Sequence, residues 1–208
     1  EIRFVPIEEK LTDLLGRGAV DVVASVSHNF VRALGPGTGW RVVESGAVAA
    51  TYLGLNLSVP PLDDVRVREA IDLAIDRGEL VDAAYPGSTA RPARSIVPAA
   101  VFGHSPEHRL GPADPARARA LLAEAVPNDV GRLRLDCARR HAEVAAQVAA
   151  RLRAVGLPVE VNAEPYELYY RRLEAGDTEL FLVNWSFRVA DASQFLEAFA
   201  HSRDPAHS

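Results

Sequence analysis

Cysteine, methionine and long hydrophobic runs are scarce in this sequence or missing from it. Its 208 residues include one cysteine, Cys137, and no methionine. A single thiol cannot form an internal disulfide and no metal-ligand pattern surrounds it, so we expect a half-buried, unreactive thiol at a strand end. Because the chain begins at Glu1 without a start residue, we expect a processed product or a segment of a longer protein. No apolar run approaches the roughly 20 residues that span a bilayer, and no signal peptide is recognisable.

An excess of basic charge is also missing. Lysine and arginine number 23 against 28 acidic residues, which gives a net charge of -5 and a pI near 5.7. This balance argues against a surface that binds nucleic acid or an anionic membrane. With 48% hydrophobic and 25% charged residues, the composition is that of a globular protein with one large domain or two small ones.

Motifs of catalysis, metal binding and phosphate binding are absent as well. The sequence contains no GxSxG, HExxH, GxGxxG or P-loop, and "GPGTGW" at residues 35–40 is typical of a turn. His104 and His108 are four residues apart, but they lie among Gly and Pro with no third ligand nearby, which favours a surface loop. We therefore predict no enzyme activity, no metal and no cofactor. An enzyme would need a nucleophile–base pair, and the sequence shows none.

The hydrophobic periodicity predicts alternating strands and helices, and therefore an α/β fold with a mixed sheet flanked by helices. Helical spacing occurs at residues 7–15, 63–85, 113–125, 141–156, 166–175 and 192–200. Strand patterns occur at 19–26, at 41–59 with a break at Ser45–Gly46, and at 132–137, 158–163 and 179–185. The 132–137 strand alternates as if half-buried. Residues 86–112 are rich in Pro and Gly and predict a long irregular segment.

Polar and aromatic residues follow the apolar strand that ends near residue 185. Asn184, Trp185, Arg188 and Asp191 fall within eight positions. In open α/β sheets, ligands bind beyond the carboxyl ends of strands, so these four residues are the candidate binding site. The alternative is a Trp185 that belongs to the core, beside a surface pair of Arg188 and Asp191.

The stretch "ATYLGLNLSVPPLDDVRVREAIDLAIDRGELVDAAYPGSTARPA" (residues 50–93) resembles the signature region of the family 5 extracellular solute-binding proteins. These are the peptide-, oligopeptide- and nickel-binding receptors of ABC importers. The matching positions are Tyr52–Leu53, Asn56, Pro60–Pro61, Asp64, Val67–Arg68, Ala70–Ile71, Ala74–Arg77, Gly87 and Pro92. Three later stretches are also similar to the family: "DPARARALLAEA", "VAAQVAARLRAVGLPVEV" and "NWSFRVADASQFLEAFAHS".

The resemblance implies a lobe of the periplasmic-binding-protein type II-like fold. Residues 1–49 would be a remnant of the first lobe and the hinge, 50–183 the second ligand-binding lobe, and 184–208 the hinge return and a helix. Family members are about two and a half times as long, so this chain would cover their middle and late part.

At the candidate site the resemblance implies both a role and a departure from it. In peptide-binding relatives, the Asp of a Trp-x-x-Asp motif holds the ligand's amino group. Counted from Trp185 that position is Arg188, whereas Asp191 keeps a second acidic position. Arginine cannot accept a hydrogen bond, so we expect a ligand with an anionic group there, or a different peptide class. The alternative is an Arg188 that points outward.

The implied function is binding and not turnover. A peptide-like or other small solute would be captured between two lobes and delivered to ABC permease subunits. The protein would act as a monomer at the extracellular face of the membrane or in the periplasm, either lipid-anchored or free. No direct contact with nucleic acid is expected. The alternative within the same fold is the effector-sensing module of a DNA-binding transcriptional regulator.

Overall fold

The computed structural model describes residues 11–23, 30, 34, 38–43, 49–85, 90–107, 110–126, 131–187 and 189–200. The chain divides into two compact units, Glu1–Ser45 and Gly46–Ser208. In the first unit, helix α1 spans Leu11–Gly16. It ends where Gly18 adopts φ +64° and the Ala19 amide donates to the Leu14 carbonyl at 2.9 Å, a common glycine-assisted helix end. The strand predicted at 19–26 is not formed at 19–23, and its remainder lies outside the described residues.

Among the described residues, the second unit contains four strands and six α-helices. Its strands are β1 (Ala49–Leu55), β2 (Leu133–Ala138), β3 (Val159–Glu164) and β4 (Leu180–Ser186). Its helices are α2 (Val65–Ala74), α3 (Arg77–Ala84), α4 (Pro115–Ala125), α5 (Ala142–Ala154), α6 (Tyr166–Glu174) and α7 (Ser193–Ala200), with a short 3-10 turn at Arg139–His141. The predicted α/β fold is therefore confirmed.

The four strands form one mixed sheet in the order β1-β4-β2-β3. Strands β2, β3 and β4 run parallel, and β1 pairs antiparallel with β4, with Tyr52 opposite Val183. The carboxyl ends of three strands and the amino end of β1 consequently meet at one edge. We call this edge, with the residues that directly follow β2, β3 and β4, the carboxyl edge.

The main core lies on one face of the sheet, between the sheet and helices α2, α4 and α5. It includes Leu135 and Cys137 of β2, Leu180 of β4, and Val148 and Leu152 of α5, all of which are buried. The apolar residues of α5 recur at three- and four-residue spacing, so one stripe of the helix faces the strands, as the sequence predicts. Gly156, at φ +96°, closes this helix.

The opposite face of the sheet is covered by α6, α7 and part of the irregular segment. A second apolar cluster forms there from Val97, Val101, Phe187, Ala192 and Phe195, with Tyr52 and Trp185 packed against it. The Tyr52 ring stacks on Phe195 at 4.6 Å between centroids. Its hydroxyl donates to the Ile96 carbonyl at 2.8 Å, and burial raises the pKa of Tyr52 to about 12. These contacts attach the irregular segment to β1.

Within the second unit, two sequence predictions differ from the structure. Residues 63–85 form two helices and not one, because Asp76 accepts a hydrogen bond from the Glu79 amide at 2.9 Å and so begins α3. Strand β2 is buried on both faces and is not half-buried. It lies between β3 and β4, and its polar residue Asp136 is covered by α6. Cys137 is accordingly fully buried.

The signature residues of the family resemblance serve the framework of the lobe. The Asn56 amide nitrogen donates to the carbonyl oxygens of Gly176 and Thr178, at 3.2 and 2.9 Å, and fastens the end of β1 to the turn before β4. Arg68 donates to the Leu62 and Asp63 carbonyls, at 2.9 and 2.8 Å. These two signature residues therefore hold backbone segments of the lobe together.

Candidate functional site

Asn184 and Trp185 are consecutive residues of β4 and lie on opposite faces of the sheet. Asn184 is exposed, and its amide donates to the Thr51 hydroxyl at 3.2 Å. Trp185 is partly buried and meets Phe195 edge-on at 6.1 Å between ring centroids. The structure therefore does not bring these two predicted site residues to one point, and Trp185 contributes to the second apolar cluster. Their role in binding stays a prediction.

Asp191 lies in the turn between β4 and α7. Its carboxylate accepts a hydrogen bond from the Ser193 amide at 2.8 Å. Hydrogen bonds from Ser193 lower the pKa of Asp191, so the carboxylate is ionised at neutral pH and one oxygen supports the turn. Arg188, the fourth predicted residue, lies outside the described residues, and its orientation stays a prediction.

The carboxyl edge brings together cationic and aromatic residues that the sequence reasoning missed. Strand β2 continues directly into Arg139, Arg140 and His141, and β3 continues through Pro165 into Tyr166. The Arg140 guanidinium carbon lies 4.9 Å from the centre of the Tyr166 ring, within the range of a cation–π contact. Tyr166 in turn stacks on Tyr170 at 5.7 Å between centroids. A guanidinium is therefore held against an exposed aromatic surface.

Two helices begin at this edge without a side-chain cap. Helix α5 starts after His141 and α6 after Pro165, and neither residue makes a side-chain hydrogen bond to the first turn. Helices α2, α3 and α4 are each capped by an aspartate: Asp64, Asp76 and Asp114. A helix amino end carries partial positive charge, and an aspartate cap satisfies its amide groups. The carboxyl edge consequently combines uncapped helix ends with two exposed guanidinium groups, an arrangement that suits an anion.

His141 is neutral in this arrangement. The Arg140 Nε–H donates to His141 Nε2 at 3.0 Å, so that nitrogen must carry a lone pair. Burial, and then the Arg140 charge, lower the pKa of His141. The imidazole therefore adds no positive charge to the edge at neutral pH and positions the Arg140 side chain.

When the pH falls from 7.5 to 5.5, we expect the unfolding free energy of the variant His141→Gln to decrease by less than that of the wild type. A lowered native pKa means that the unfolded chain binds the proton more readily. The stability contributed by neutral His141 is thus complete above its unfolded pKa, near 6.5, and is lost as the pH falls through the native value. Urea unfolding of both proteins at several pH values measures this difference. Equal pH slopes for the two proteins would contradict it.

A buried ionic network supports α6 and, through it, the tyrosines of the edge. Asp136 is 0% exposed and accepts hydrogen bonds from Arg134 Nε at 2.9 Å and from Asn162 Nδ2 at 2.7 Å. Arg172 of α6 approaches the same carboxylate at 3.7 Å and Glu164 at 3.4 Å. Tyr169 of the same helix donates its hydroxyl proton to the Leu182 carbonyl at 2.7 Å. Helix α6 is thereby fixed to β2, β3 and β4.

The arginines at the opposite edge of the sheet have partners within the chain. Arg132 pairs with Glu160 at 3.0 Å, and Arg153 Nε donates to the Val159 carbonyl at 2.7 Å. They line an open depression of about 500 Å³. With a rise of about 3.3 Å per residue along β2, this depression lies roughly 20 Å from the carboxyl edge.

Metal and thiol chemistry receive no support from the described residues. Within those residues no cluster of His, Cys, Asp and Glu has the makings of a metal site. His104 Nδ1 lies 2.7 Å from the Val97 carbonyl, inside its own loop, and His108 lies outside the described residues. Burial, and then the nearby Asp136, raise the pKa of Cys137 to about 11, so the thiol stays protonated.

None of the described helices has the length and apolar character needed to cross a membrane.

Comparison with known proteins identifies the class to which this sheet and its carboxyl edge belong. The family described as "Bacterial extracellular solute-binding proteins, family 5 Middle" matches residues 1–206. The chain belongs to this family, and the resemblance seen in the sequence is confirmed. Proteins of this family are solute-binding proteins.

The curated relatives are considerably longer than this chain. Di/tripeptide-binding protein 2 of Pseudomonas aeruginosa is 28% identical over 188 residues, which cover 88% of this chain and 35% of that protein. The glutathione-binding protein GsiB of Salmonella typhimurium is 25% identical over 199 residues, which cover 92% of this chain and 38% of that protein. The chain thus spans about a third of the length of these relatives.

Solved structures confirm the fold. CtaP, an ABC transporter substrate-binding protein of Listeria monocytogenes, aligns with a TM-score of 0.79 at 18% identity, over 89% of this chain and 39% of that one. DppA of Helicobacter pylori, in complex with the peptide STSA, aligns with a TM-score of 0.78 at 22% identity, over 90% and 37%. The architecture is that of a periplasmic-binding-protein type II-like lobe, as predicted.

Proposed function

We propose that this chain is the ligand-binding lobe of an ABC importer's solute-binding protein and that it captures a short peptide or a related solute. The solute would be held between this lobe and a second one and delivered to the permease subunits. Support comes from the family and from relatives described as di/tripeptide- and glutathione-binding proteins. The relatives named here are binding proteins, which favours an importer component over the sensing module of a transcriptional regulator.

The carboxyl edge is the observation that carries this proposal. Arg139 and Arg140 are exposed there, and Arg140 lies against Tyr166. A guanidinium binds a carboxylate with two charge-assisted hydrogen bonds, and the uncapped helix ends favour the same charge. A flat tyrosine pair beside it suits the apolar part of a small ligand. We assign the α-carboxylate of a bound peptide to this edge.

The departure at Arg188 extends this assignment. Where peptide-binding relatives have an aspartate for the ligand's amino group, this chain has a cation, so a free amino terminus would gain nothing from that position. Asn184, Trp185 and Asp191 remain proposed contributors from the same strand end. Asn184 would supply a directional amide and Trp185 an apolar wall. The ligand class that follows is a peptide or peptide-like acid recognised chiefly through its anionic end.

The proposed boundaries, location and partners follow from the family. Residues 1–49 belong to the first lobe and the hinge, 50–183 to this lobe, and 184–208 to the hinge return. The protein works as a monomer at the extracellular face of the membrane or in the periplasm. It binds its ligand without turnover and presents it to the permease.

A calorimetric titration with a set of short peptides tests the proposal. The complete protein that carries these residues is titrated with one dipeptide and one tripeptide, each free, amidated at the carboxyl end, or acetylated at the amino end. Because one charged hydrogen bond contributes about 1.5–3 kcal/mol, amidation should weaken binding by about 10- to 100-fold. Acetylation should change it by less than about threefold. If no peptide binds, or if acetylation is the damaging change, the proposal is wrong.

A further inference from the structure

Phe102 is an apolar residue that the fold exposes and yet holds in place. Its side chain is 78% exposed, although its backbone is fixed on both sides. The Phe102 amide donates to the Ala190 carbonyl at 2.8 Å, and the Ala192 amide donates to the Phe102 carbonyl at 2.9 Å. These two bonds form a parallel bridge between Phe102 and Asp191. The ring is therefore carried by ordered backbone that is joined to the turn after β4.

The neighbours of Phe102 explain why its ring faces outward. Val97 and Val101 are buried in the second apolar cluster, so the irregular segment already contributes two side chains to the interior. His104 closes the turn by donating its Nδ1–H to the Val97 carbonyl oxygen, 2.7 Å away. Gly103 follows at φ +91°, and a Cβ there would lie 2.9 Å from the Ala192 Cβ. The segment thus packs closely on Ala192, while the Phe102 ring stays outside the cluster.

The position of Phe102 is continuous with the proposed binding site. The bridge joins Phe102 to Asp191, which lies in the turn that follows the carboxyl end of β4 and is itself one of the predicted site residues. Val189, in the same turn, is also apolar and exposed. The Asp191 carboxylate is engaged by the Ser193 amide. Phe102 and Val189 thus present exposed apolar side chains on or beside the turn that follows β4, and small-ligand sites are lined mostly by apolar and aromatic side chains.

We propose that Phe102 is a specificity-determining residue that contacts an apolar side chain of the bound peptide. This inference rests on the proposed function and adds to it the class of side chain that the site prefers. The carboxyl edge holds the anionic end of the ligand, and Phe102 selects among ligands that share that end. Burying an exposed aromatic ring against an aliphatic side chain removes apolar surface of both from water.

The test compares two dipeptides, alanyl-alanine and alanyl-leucine, in calorimetric titrations of the complete protein. The variant Phe102→Ala should bind alanyl-leucine about five- to tenfold more weakly and alanyl-alanine within about twofold of the wild type. Leu57→Ala is the matched control, since Leu57 is 55% exposed and lies beyond the other end of β1. It should leave both affinities unchanged.

The outcomes separate this inference from the proposed function. If the wild type binds neither dipeptide, the proposed function fails and the inference with it. If both bind and Phe102→Ala leaves their ratio unchanged, or weakens both equally, the proposed function stands and the inference is overturned. An equal loss would mean that Phe102 packs against another part of the protein. Should Phe102→Ala fail to fold, Phe102→Trp replaces it. Adding alanyl-leucine should shift the tryptophan fluorescence of this variant further to the blue than that of the wild type. The absence of this additional shift overturns the inference.

Discussion

The variant Asp136→Ala should lose about 3–5 kcal/mol of unfolding free energy, the range found when one partner of a buried ion pair is removed. Asp136 is fully buried in β2 and receives hydrogen bonds from Arg134 and Asn162, with Arg172 of α6 close by. Without the carboxylate, the Asn162 amide and the partly buried guanidinium groups of Arg134 and Arg172 would lose the one fully buried acceptor that they share. Because Arg172 connects α6 to the sheet, the tyrosines of the carboxyl edge should also lose their fixed position.

Urea unfolding followed by circular dichroism measures this loss. The control is Asp177→Ala, because Asp177 contacts the same two arginines, at 3.3 and 3.2 Å, but its side chain is 65% exposed. Exposed ion pairs contribute about 0–1 kcal/mol, so this variant should remain close to the wild type. Equal losses of unfolding free energy from the two substitutions would show that the stabilisation by the network does not depend on the burial of Asp136.

Neutralising the carboxyl edge should produce the largest functional effect. We expect the double variant Arg139→Gln, Arg140→Gln to bind peptides with a free carboxyl end about 10- to 100-fold more weakly, because charge-assisted hydrogen bonds are lost. Both side chains are exposed, and the Arg140 Nε–H donates to His141. The unfolding free energy should therefore change by less than about 1 kcal/mol.

Arg132→Gln is the matched control for this experiment. It removes one guanidinium from the opposite edge of the sheet, where Arg132 pairs with Glu160. Its affinity for peptides should equal that of the wild type. A comparable loss from Arg132→Gln would mean that the net charge of the lobe, and not the carboxyl edge, attracts the ligand.

Much of the architecture can be predicted from the sequence because it follows local rules. The apolar stripe of α5, the aspartate caps of α2 and α4, and the glycines after α5 and α6 act within a few residues of one another. The division of residues 63–85 into two helices was missed. Asp76 reads as one more polar residue on a helix surface unless its side chain is seen to bond to the Glu79 amide.

The candidate site is harder to predict because strand order decides which residues meet. Arg140 and Tyr166 are 26 positions apart, and they become neighbours only because β2 and β3 run parallel in register. The alternation of strands and helices already predicted would have suggested inspecting the residues after each strand, and "ARRH" after β2 was the available signal. Asn184 and Trp185, being consecutive in a strand, point to opposite faces. Strand alternation could have shown this from the sequence.

The buried position of Asp136 could not be derived from local pattern. Its alternation with leucines predicts a solvated face for β2, and its partner Arg172 lies 36 positions later, on helix α6. Only the packing of α6 across β2 and β3 brings the carboxylate and the guanidinium together.

The coupling between the Arg139–Arg140 pair and the carboxyl end of the ligand tests the central claim most directly. Four titrations form a double-mutant cycle between protein and ligand. The wild type and the double glutamine variant are each titrated with a free and an amidated form of the same peptide. If the guanidinium groups hold the carboxylate, amidation should weaken binding to the wild type by about 10- to 100-fold and leave binding to the variant nearly unchanged. If amidation weakens binding equally in both proteins, the carboxylate is held elsewhere and the assignment of the carboxyl edge is contradicted.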